Sequence, residues 1–332
     1  MNAEEMRQIC KDRYFDKITV VTDDIFREVR NLQKYCDFRP SAMAVHTERK
    51  LRLVDGMDND LSYIEYIVKA RYQDIELEVV QPVKGNTVYR QYLDRFGPGL
   101  CCIRERIPKD QWVLTMQKYK TRGLKIAQRA FCDWGDTVWL DLMDKAGILI
   151  QMATAEPDVP SRDIRSEVMI CQINITTDDV DRITHALADL LDIGPWETGH
   201  LNNQTVTDAK LLVDGRQTVP EFEFLLGITL CGNIEFEVIQ SVKGPTVYKA
   251  FVERRGTGFN HLKIRIRHED WDRIIRRFTD QGIEPVISGK VGPCPWIYMG
   301  LEEKIGFLVE IGDDTPMTKL PDGYNAYFYP TE

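Results

Sequence analysis

Five histidines and eight cysteines are the residues of this 332-residue chain best suited to bind a metal or attack a substrate. The cysteines are scattered except for the adjacent Cys101 and Cys102, and no Cys-x-x-Cys occurs, which reads as reduced thiols in a cytoplasmic protein. A neighbouring pair in a strand is expected to be one buried and one half-buried residue rather than a reactive thiol. Of the histidines, His185 falls on an amphipathic pattern and His268 in a turn, both reading as surface residues, and His46 points to no particular chemistry from the sequence. His200, within WETGHLNN, could face a cleft and touch substrate. His261 follows a Gly-x-Gly, where a lone histidine is more often a satisfied core residue than a ligand. No Gly-x-Gly-x-x-Gly follows a strand pattern and no Gly-x-x-x-x-Gly-Lys-Ser/Thr occurs, so nucleotide chemistry is weakly supported.

The elements that must position these residues are written twice. Residues 75–107 and 234–266 are identical at 16 of 33 positions without a gap, at an offset of 159. The offset persists downstream, where Trp112 meets Trp271, Gly123 meets Gly282 and Gly147 meets Gly306. The halves are therefore duplicates, spanning 14–156 and 166–314, joined by the Pro-rich, charged AEPDVPSRDIRS. Each half is itself double. KITVVTDDIFREVRNL and ICQINITTDDVDRITHALADLL each read as an alternating strand, a Thr-Asp-Asp turn and an amphipathic helix. A second strand and helix open again at CCIRERIPKDQW and NHLKIRIRHEDW, and apolar alternating stretches bounded by Gly and Pro follow each opening. The plan per module is strand, helix and about three strands, four times over: an α+β chain with mixed sheets. The tail 315–332 is too short for a domain and is expected to pack back through Tyr324, Tyr327 and Tyr329.

The run GNIEFEVIQSVKGPTVYKAFVERRGTGFNHLKI and the opening ICQINITTDDVDRITHALADLLDIGPWE resemble the vicinal oxygen chelate superfamily, which includes glyoxalase I, bleomycin-resistance proteins and extradiol dioxygenases. They are most similar to its methylmalonyl-CoA epimerase-like branch. The resemblance extends over nearly the whole chain, once per half, and implies βαβββ modules paired so that eight strands curl into a cup around a divalent metal. It further implies ligands from the first and last strand of each module: in the second half Gln172, Glu237, His261 and Glu310. An amide, two carboxylates and an imidazole suit one ion of Mn, Fe, Co, Ni or Zn. The equivalent positions of the first half are Lys17, Glu78, Cys102 and Gln151, not a credible set for one cation, so that half is expected to be degenerate.

A metal in such a cup chelates vicinal oxygens and stabilises an enolate. By the same resemblance Glu221, after Pro220, is the general base, and the first half has Ser62 in its place. Trp196, Trp296 and Tyr298 either line an apolar pocket or belong to the core. Three classes stay open: a metal-dependent isomerase, epimerase or lyase of a small carbonyl compound; a non-haem iron extradiol dioxygenase, for which Gln172 replaces a histidine; and a non-catalytic small-molecule binder. The balance of 43 Lys and Arg against 52 Asp and Glu gives a net charge of −9, which disfavours a nucleic-acid partner. No apolar run is long enough for a membrane span, and the charged N-terminus carries no secretory signal. Each half should close its own cup, so that a monomer suffices and a homodimer is not demanded.

Overall fold

The computed structural model describes residues 1–47, 51–52, 62–132, 135–154, 168–213, 215–317 and 320–331. The expected linker at 155–166 lies outside the described residues. The chain divides into two units, one of Arg13–Glu167 and one of Met1–Asp12 together with Val168–Glu332. The chain opens with helix α1 (Ala3–Lys11), which Asn2 caps reciprocally with Glu5. It buries Ala3, Met6 and Cys10 on one face, and its Cys10 carbonyl accepts from the Gly232 amide at 2.8 Å. That contact makes the first helix part of the second unit, which the repeat pattern gave no reason to expect.

The first unit runs β1 (Phe15–Val21), α2 (Ile25–Tyr35), β2 (Pro40–Thr47), β3 (Leu51–Arg52), β4 (Ile64–Tyr72) and β5 (Ile75–Lys84). It continues with α3 (Val88–Phe96), β6 (Gly99–Arg106), α4 (Trp112–Thr121), β7 (Lys125–Cys132), β8 (Gly135–Leu142), α5 (Met143–Ala146) and β9 (Ile148–Ala153). Its nine strands form one mixed sheet in the order β2-β4-β5-β1-β6-β9-β8-β7-β3. First and last strands of each module pair in parallel, β1 with β5 and β6 with β9, and the modules meet where β1 and β6 run antiparallel.

The second unit repeats this with β10 (Met169–Thr177), α6 (Val180–Leu191), β11 (Trp196–Asn202), β12 (Val206–Val213), β13 (Arg216–Thr218), β14 (Glu223–Cys231) and β15 (Ile234–Lys243). After these come α7 (Val247–Arg255), β16 (Gly258–Ile266), α8 (Trp271–Thr279), β17 (Pro285–Val291), β18 (Cys294–Met299), α9 (Glu302–Ile305), β19 (Leu308–Asp313) and β20 (Tyr327–Tyr329). The α+β class and the duplicated modules are as the sequence reads. The sheet is larger than the eight strands expected, because the hairpin β12–β13 is inserted between β11 and β14 and the tail adds β20, giving the order β13-β12-β17-β18-β19-β16-β10-β15-β14-β11-β20. Only residues 203–205 join β11 to β12, yet β11 pairs with β14 on one side of the sheet and β12 with β17 on the other. The sheet therefore curls until its two sides meet, which makes the cup.

Local signals explain the helices that close its outer face. Asp179 caps α6 by accepting from the Arg182 amide, and Val180, Ile183, Thr184, Leu187, Ala188 and Leu191 recur at helical spacing and are buried. In the first unit Asp24 caps α2 in the same way, and its buried stripe is Ile25, Glu28, Leu32 and Tyr35. Glu28 stands where α6 has Ile183, and burial pushes its carboxyl up to about 8.

Candidate metal centre

The centre of the second unit's sheet carries its polar residues on one face. Side chains alternate along a strand, so Gln172 and Asn174 on β10 share a face, as do Glu235 and Glu237 on β15 and His261 and Lys263 on β16. The register aligns them: Gln172 stands beside Glu235 and Lys263, Asn174 beside Glu237 and His261, and Lys263 beside Glu310 on β19. One ligand atom from each of Glu237, His261 and Glu310 lies within 4.8 Å of the other two, and all three residues are buried. His261 Nε2 is 3.1 Å from Glu237 Oε2, 3.3 Å from Glu310 Oε2 and 3.1 Å from the Tyr298 hydroxyl. Its other ring nitrogen, Nδ1, is 3.1 Å from Asn260 Oδ1; donation of Nδ1–H there leaves Nε2 as a lone pair facing the carboxylates.

That arrangement asks for a cation. A lone pair and two carboxylate oxygens repel one another at these distances unless a proton or a metal ion lies among them. Glu310 Oε2, one of these oxygens, has no aligned hydrogen-bond donor, and one further buried oxygen at the cluster, Gln172 Oε1, has none either. Three carboxylates, Glu235, Glu237 and Glu310, face the single ammonium of Lys263, which is 2.7 Å from Glu310 Oε1. Burial alone would depress the His261 imidazole, but Glu237 and Glu310 outweigh it and raise its pKa. Burial would likewise raise Glu310, and Lys263 and His261 overcome it and hold the carboxyl low. Burial raises Glu235 against the pull of Lys263. Mixed nitrogen and oxygen donors with a surplus of negative charge fit a borderline divalent ion and would suit a thiophilic one poorly.

The structure brings Gln172, Glu237, His261 and Glu310 together. Gln172 presently turns its amide nitrogen toward the carboxylates, at 2.5 Å from Glu235 Oε1 and 3.2 Å from Glu237 Oε1. Asn174, which sequence reasoning passed over, donates to Glu237 Oε2 at 3.0 Å and accepts from the Thr176 hydroxyl at 2.8 Å, so a buried chain of three side chains fixes the carboxylate. Lys263 and Glu235 were missed as well, although each lies two residues from an expected ligand on a strand and must share its face.

Glu221 and His200 require correction. Glu221 is 73 % exposed and paired with Lys243. Lys243 is six residues along β15 from Glu237, about 20 Å at the rise of an extended strand. The family spacing placed Glu221 at the entry to β14, and that entry lies at the far end of the strand from the cluster. His200 pairs in register with Leu225, and Leu225 with Gln240, an odd number of residues from Glu237. Its ring consequently lies on the opposite face of the sheet, 2.8 Å from Glu223 Oε1. Tyr298 and Trp296 do line the cup, with Tyr298 against His261, whereas Trp196 is core and donates to the Ile193 carbonyl.

Comparison with known proteins agrees with this fold. Residues 171–294 match the family model described as Glyoxalase/Bleomycin resistance protein/Dioxygenase superfamily. The second unit carries a domain of this superfamily. Among solved structures, a mutant of 4-hydroxymandelate synthase from Streptomyces coelicolor superposes with a TM-score of 0.63 at 10% identity, covering 95% of this chain and 94% of that one. The halotolerant catechol dioxygenase BphC gives 0.51 at 11% identity, covering 92% and 87%. A 2,2',3-trihydroxybiphenyl 1,2-dioxygenase from Sphingomonas wittichii strain RW1 gives 0.50 at 10% identity, covering 91% and 90%. At these identities the likeness is one of fold. No curated protein matches the chain.

The superfamily cup has a counterpart in the first unit, with different chemistry. Lys17 and Thr19 stand beside Glu76 and Glu78 in the register that Gln172 and Asn174 have with Glu235 and Glu237. Lys17 Nζ reaches Glu78 Oε1 at 2.7 Å and Thr19 donates to the same oxygen at 3.2 Å. Burial would raise Glu78, but Lys17 and Lys69 hold it down at about 2. An ammonium thus takes the position a cation would need. Cys101 and Cys102 are both fully buried rather than one of them half-buried, in one apolar cluster with Tyr89, Tyr92 and Trp139, and burial pushes the Cys102 thiol up to about 12. A thiol so protonated is a poor nucleophile. Ser62 is exposed. Among the described residues no helix is long and apolar enough to cross a membrane.

Proposed function

We propose that the second unit is a divalent-metal-dependent isomerase, epimerase or lyase acting through an enolate of a small carbonyl compound, with one ion per chain held by Gln172, Glu237, His261 and Glu310. The observation that carries this reading is the buried convergence of His261 Nε2 with Glu237 and Glu310, with Gln172 Oε1 beside them lacking a donor. A divalent ion bound there polarises the substrate carbonyl as a Lewis acid. The chain supplies the rest. Asn260 orients the imidazole, and Asn174 orients Glu237. Lys263 offsets one of the three carboxylates Glu235, Glu237 and Glu310, so the ionised cluster carries a charge close in size to that of one divalent ion. With Glu221 and His200 directed elsewhere, Glu235 and Glu197 are the non-ligand carboxylates on the inner face, and of these Glu235, whose Oε1 Gln172 holds, is the one assigned to take a proton from carbon. The first unit, with Lys17 in place of the amide, holds no ion in this reading.

A second reading is favoured by the folds of the catechol and trihydroxybiphenyl dioxygenases: an iron-dependent oxygenase. The two-histidine, one-carboxylate triad of such enzymes needs another imidazole, and β10 offers Gln172 and Asn174 instead. One experiment separates the readings. Protein loaded in turn with Mn, Fe, Co, Ni and Zn is screened against carbonyl compounds in deuterium oxide and against catechols under an oxygen electrode. Deuterium incorporation next to a carbonyl, lost on chelation and without oxygen uptake, supports the isomerase class. Oxygen uptake with iron alone replaces it by the oxygenase.

A further inference from the structure

The tail does more than lean on the cup. Its Tyr324 ring lies over Gly199 of β11 so closely that a methyl group at position 199 would overlap the phenol carbons Cζ, Cε1 and Cε2. Gly199 has ordinary strand torsions, so the glycine is required there by the ring and not by the backbone. Gly199 stands beside Leu226, and Leu226 beside Ile239, two residues from Glu237 and on its face. The ring therefore sits inside the cup, against the buried cluster that contains Phe224, Ile239 and Tyr298. Burial raises its hydroxyl well above the usual phenol range, and Glu197, Glu237 and Glu235 add to the effect, which agrees with a hydroxyl directed toward the carboxylates.

What holds the ring there is slight. β20 pairs with β11 over three residues only. Tyr327 donates to Asp181 at 2.7 Å and Tyr329 to Asp189 at 2.9 Å, both on the exposed side of α6, and Tyr329 stacks on His185 with centroids 3.5 Å apart. A short, exposed strand tied by surface hydrogen bonds is the kind of segment that opens locally without unfolding the rest.

We propose that the seat of Tyr324 is a ring-binding subsite of the cup, which accepts a planar aromatic group of the substrate when the tail withdraws, and that Tyr324 is its resident competitor. The proposal rests on the reading of this cup as the active site and adds the class of group it takes. A competitor that fills the site lowers the apparent affinity by the fraction of time the site is open.

The probe is 4-methylphenol, the tyrosine side chain as a free molecule, titrated into metal-free full-length protein by calorimetry or ligand-observed NMR. Tyr324→Ala should bind it at least ~10-fold more tightly than the unaltered chain, as a seat open about a tenth of the time or less requires. Adding Gly199→Ala to that variant should abolish binding, because the methyl takes the ring's place. Gly199→Ala alone should expel the tail, read as faster amide exchange at Tyr327–Tyr329. Equal affinity in the unaltered chain and in Tyr324→Ala, binding that survives Gly199→Ala, or unchanged exchange in the single variant overturns the proposal. The metal reading fails separately. If 4-methylphenol binds as described while cobalt does not bind at all, the subsite stands and the metal centre falls.

Discussion

Removing the negative charge of Glu237 while keeping its shape tests the metal centre most directly. Glu237 contributes one of the two carboxylate oxygens against His261 Nε2, and a glutamine there still accepts from Asn174. A ligand that binds only the folded state stabilises it by about 2.7 kcal/mol at one hundred times its dissociation constant. For a unit of this size each kcal/mol moves the melting temperature by about 2–4 °C, so saturating metal should raise it by roughly 5–11 °C. Differential scanning calorimetry of chelator-treated protein, with and without added cobalt or zinc, reads this shift. In Glu237→Gln the metal-free melt should stay near its original temperature while the shift disappears. Glu221→Gln, whose carboxylate lies about 20 Å along the strand, should keep the full shift. A shift that persists in Glu237→Gln, or that vanishes in Glu221→Gln, refutes the assignment of the ligands.

Three further outcomes follow from the same structure. Glu28 keeps its proton in the folded chain up to about pH 8, whereas the unfolded chain loses it near 4.5. Stability is therefore lost as pH rises through that window, by at most roughly 5 kcal/mol, and Glu28→Gln should raise the melting temperature near pH 8 while leaving it unchanged near pH 4, as thermal melts at both values would show. Lys17→Met strands the buried carboxylate of Glu78, leaving Lys69 at 3.6 Å as its remaining ammonium neighbour. It should cost up to about 3–5 kcal/mol by urea unfolding, with much of the loss recovered in Lys17→Met/Glu78→Leu; equal losses in the single and double variants would count against the pair. His200→Asn should leave metal affinity within about twofold, since the ring lies on the other face of the sheet, and a tenfold loss, about 1.4 kcal/mol, by competition with a chromogenic chelator would show that the face was misjudged.

The four ligand candidates were legible through the family resemblance, which puts ligands on the first and last strand of each module. The motif around Glu237 and His261 is written twice with no gap, and the second copy keeps the glutamate of the first and has His261 where the first has Cys102. Strand parity was legible too, and used further it would have found Asn174, Glu235 and Lys263. The base was not. Glu221 and His200 flank the hairpin β12–β13, which departs from the module plan, and only the register of β11, β14 and β15 shows which face and which end each residue occupies. The seat of Tyr324 was beyond reach as well. The tail reads as tyrosines that anchor somewhere, and nothing in the linear order links Tyr324 to a glycine 125 residues earlier.

Helix α1 leaves the ribosome well before the surface that completes it, Asp192 to Gly194 and Cys231 to Gly232, which belongs to the second half of the sequence. Nine residues are too few for a stable helix in water. At about 5–20 residues per second, roughly 10–30 s separate the synthesis of Lys11 from that of Val168. During that interval the first unit can fold with its own strands while the segment carrying Met6 and Cys10 stays open to chaperones, proteases or a neighbouring nascent chain. A gene fragment that begins at Val168 would encode every candidate ligand and still lack the helix that covers Cys231, so residues made before the first unit are needed to finish the second.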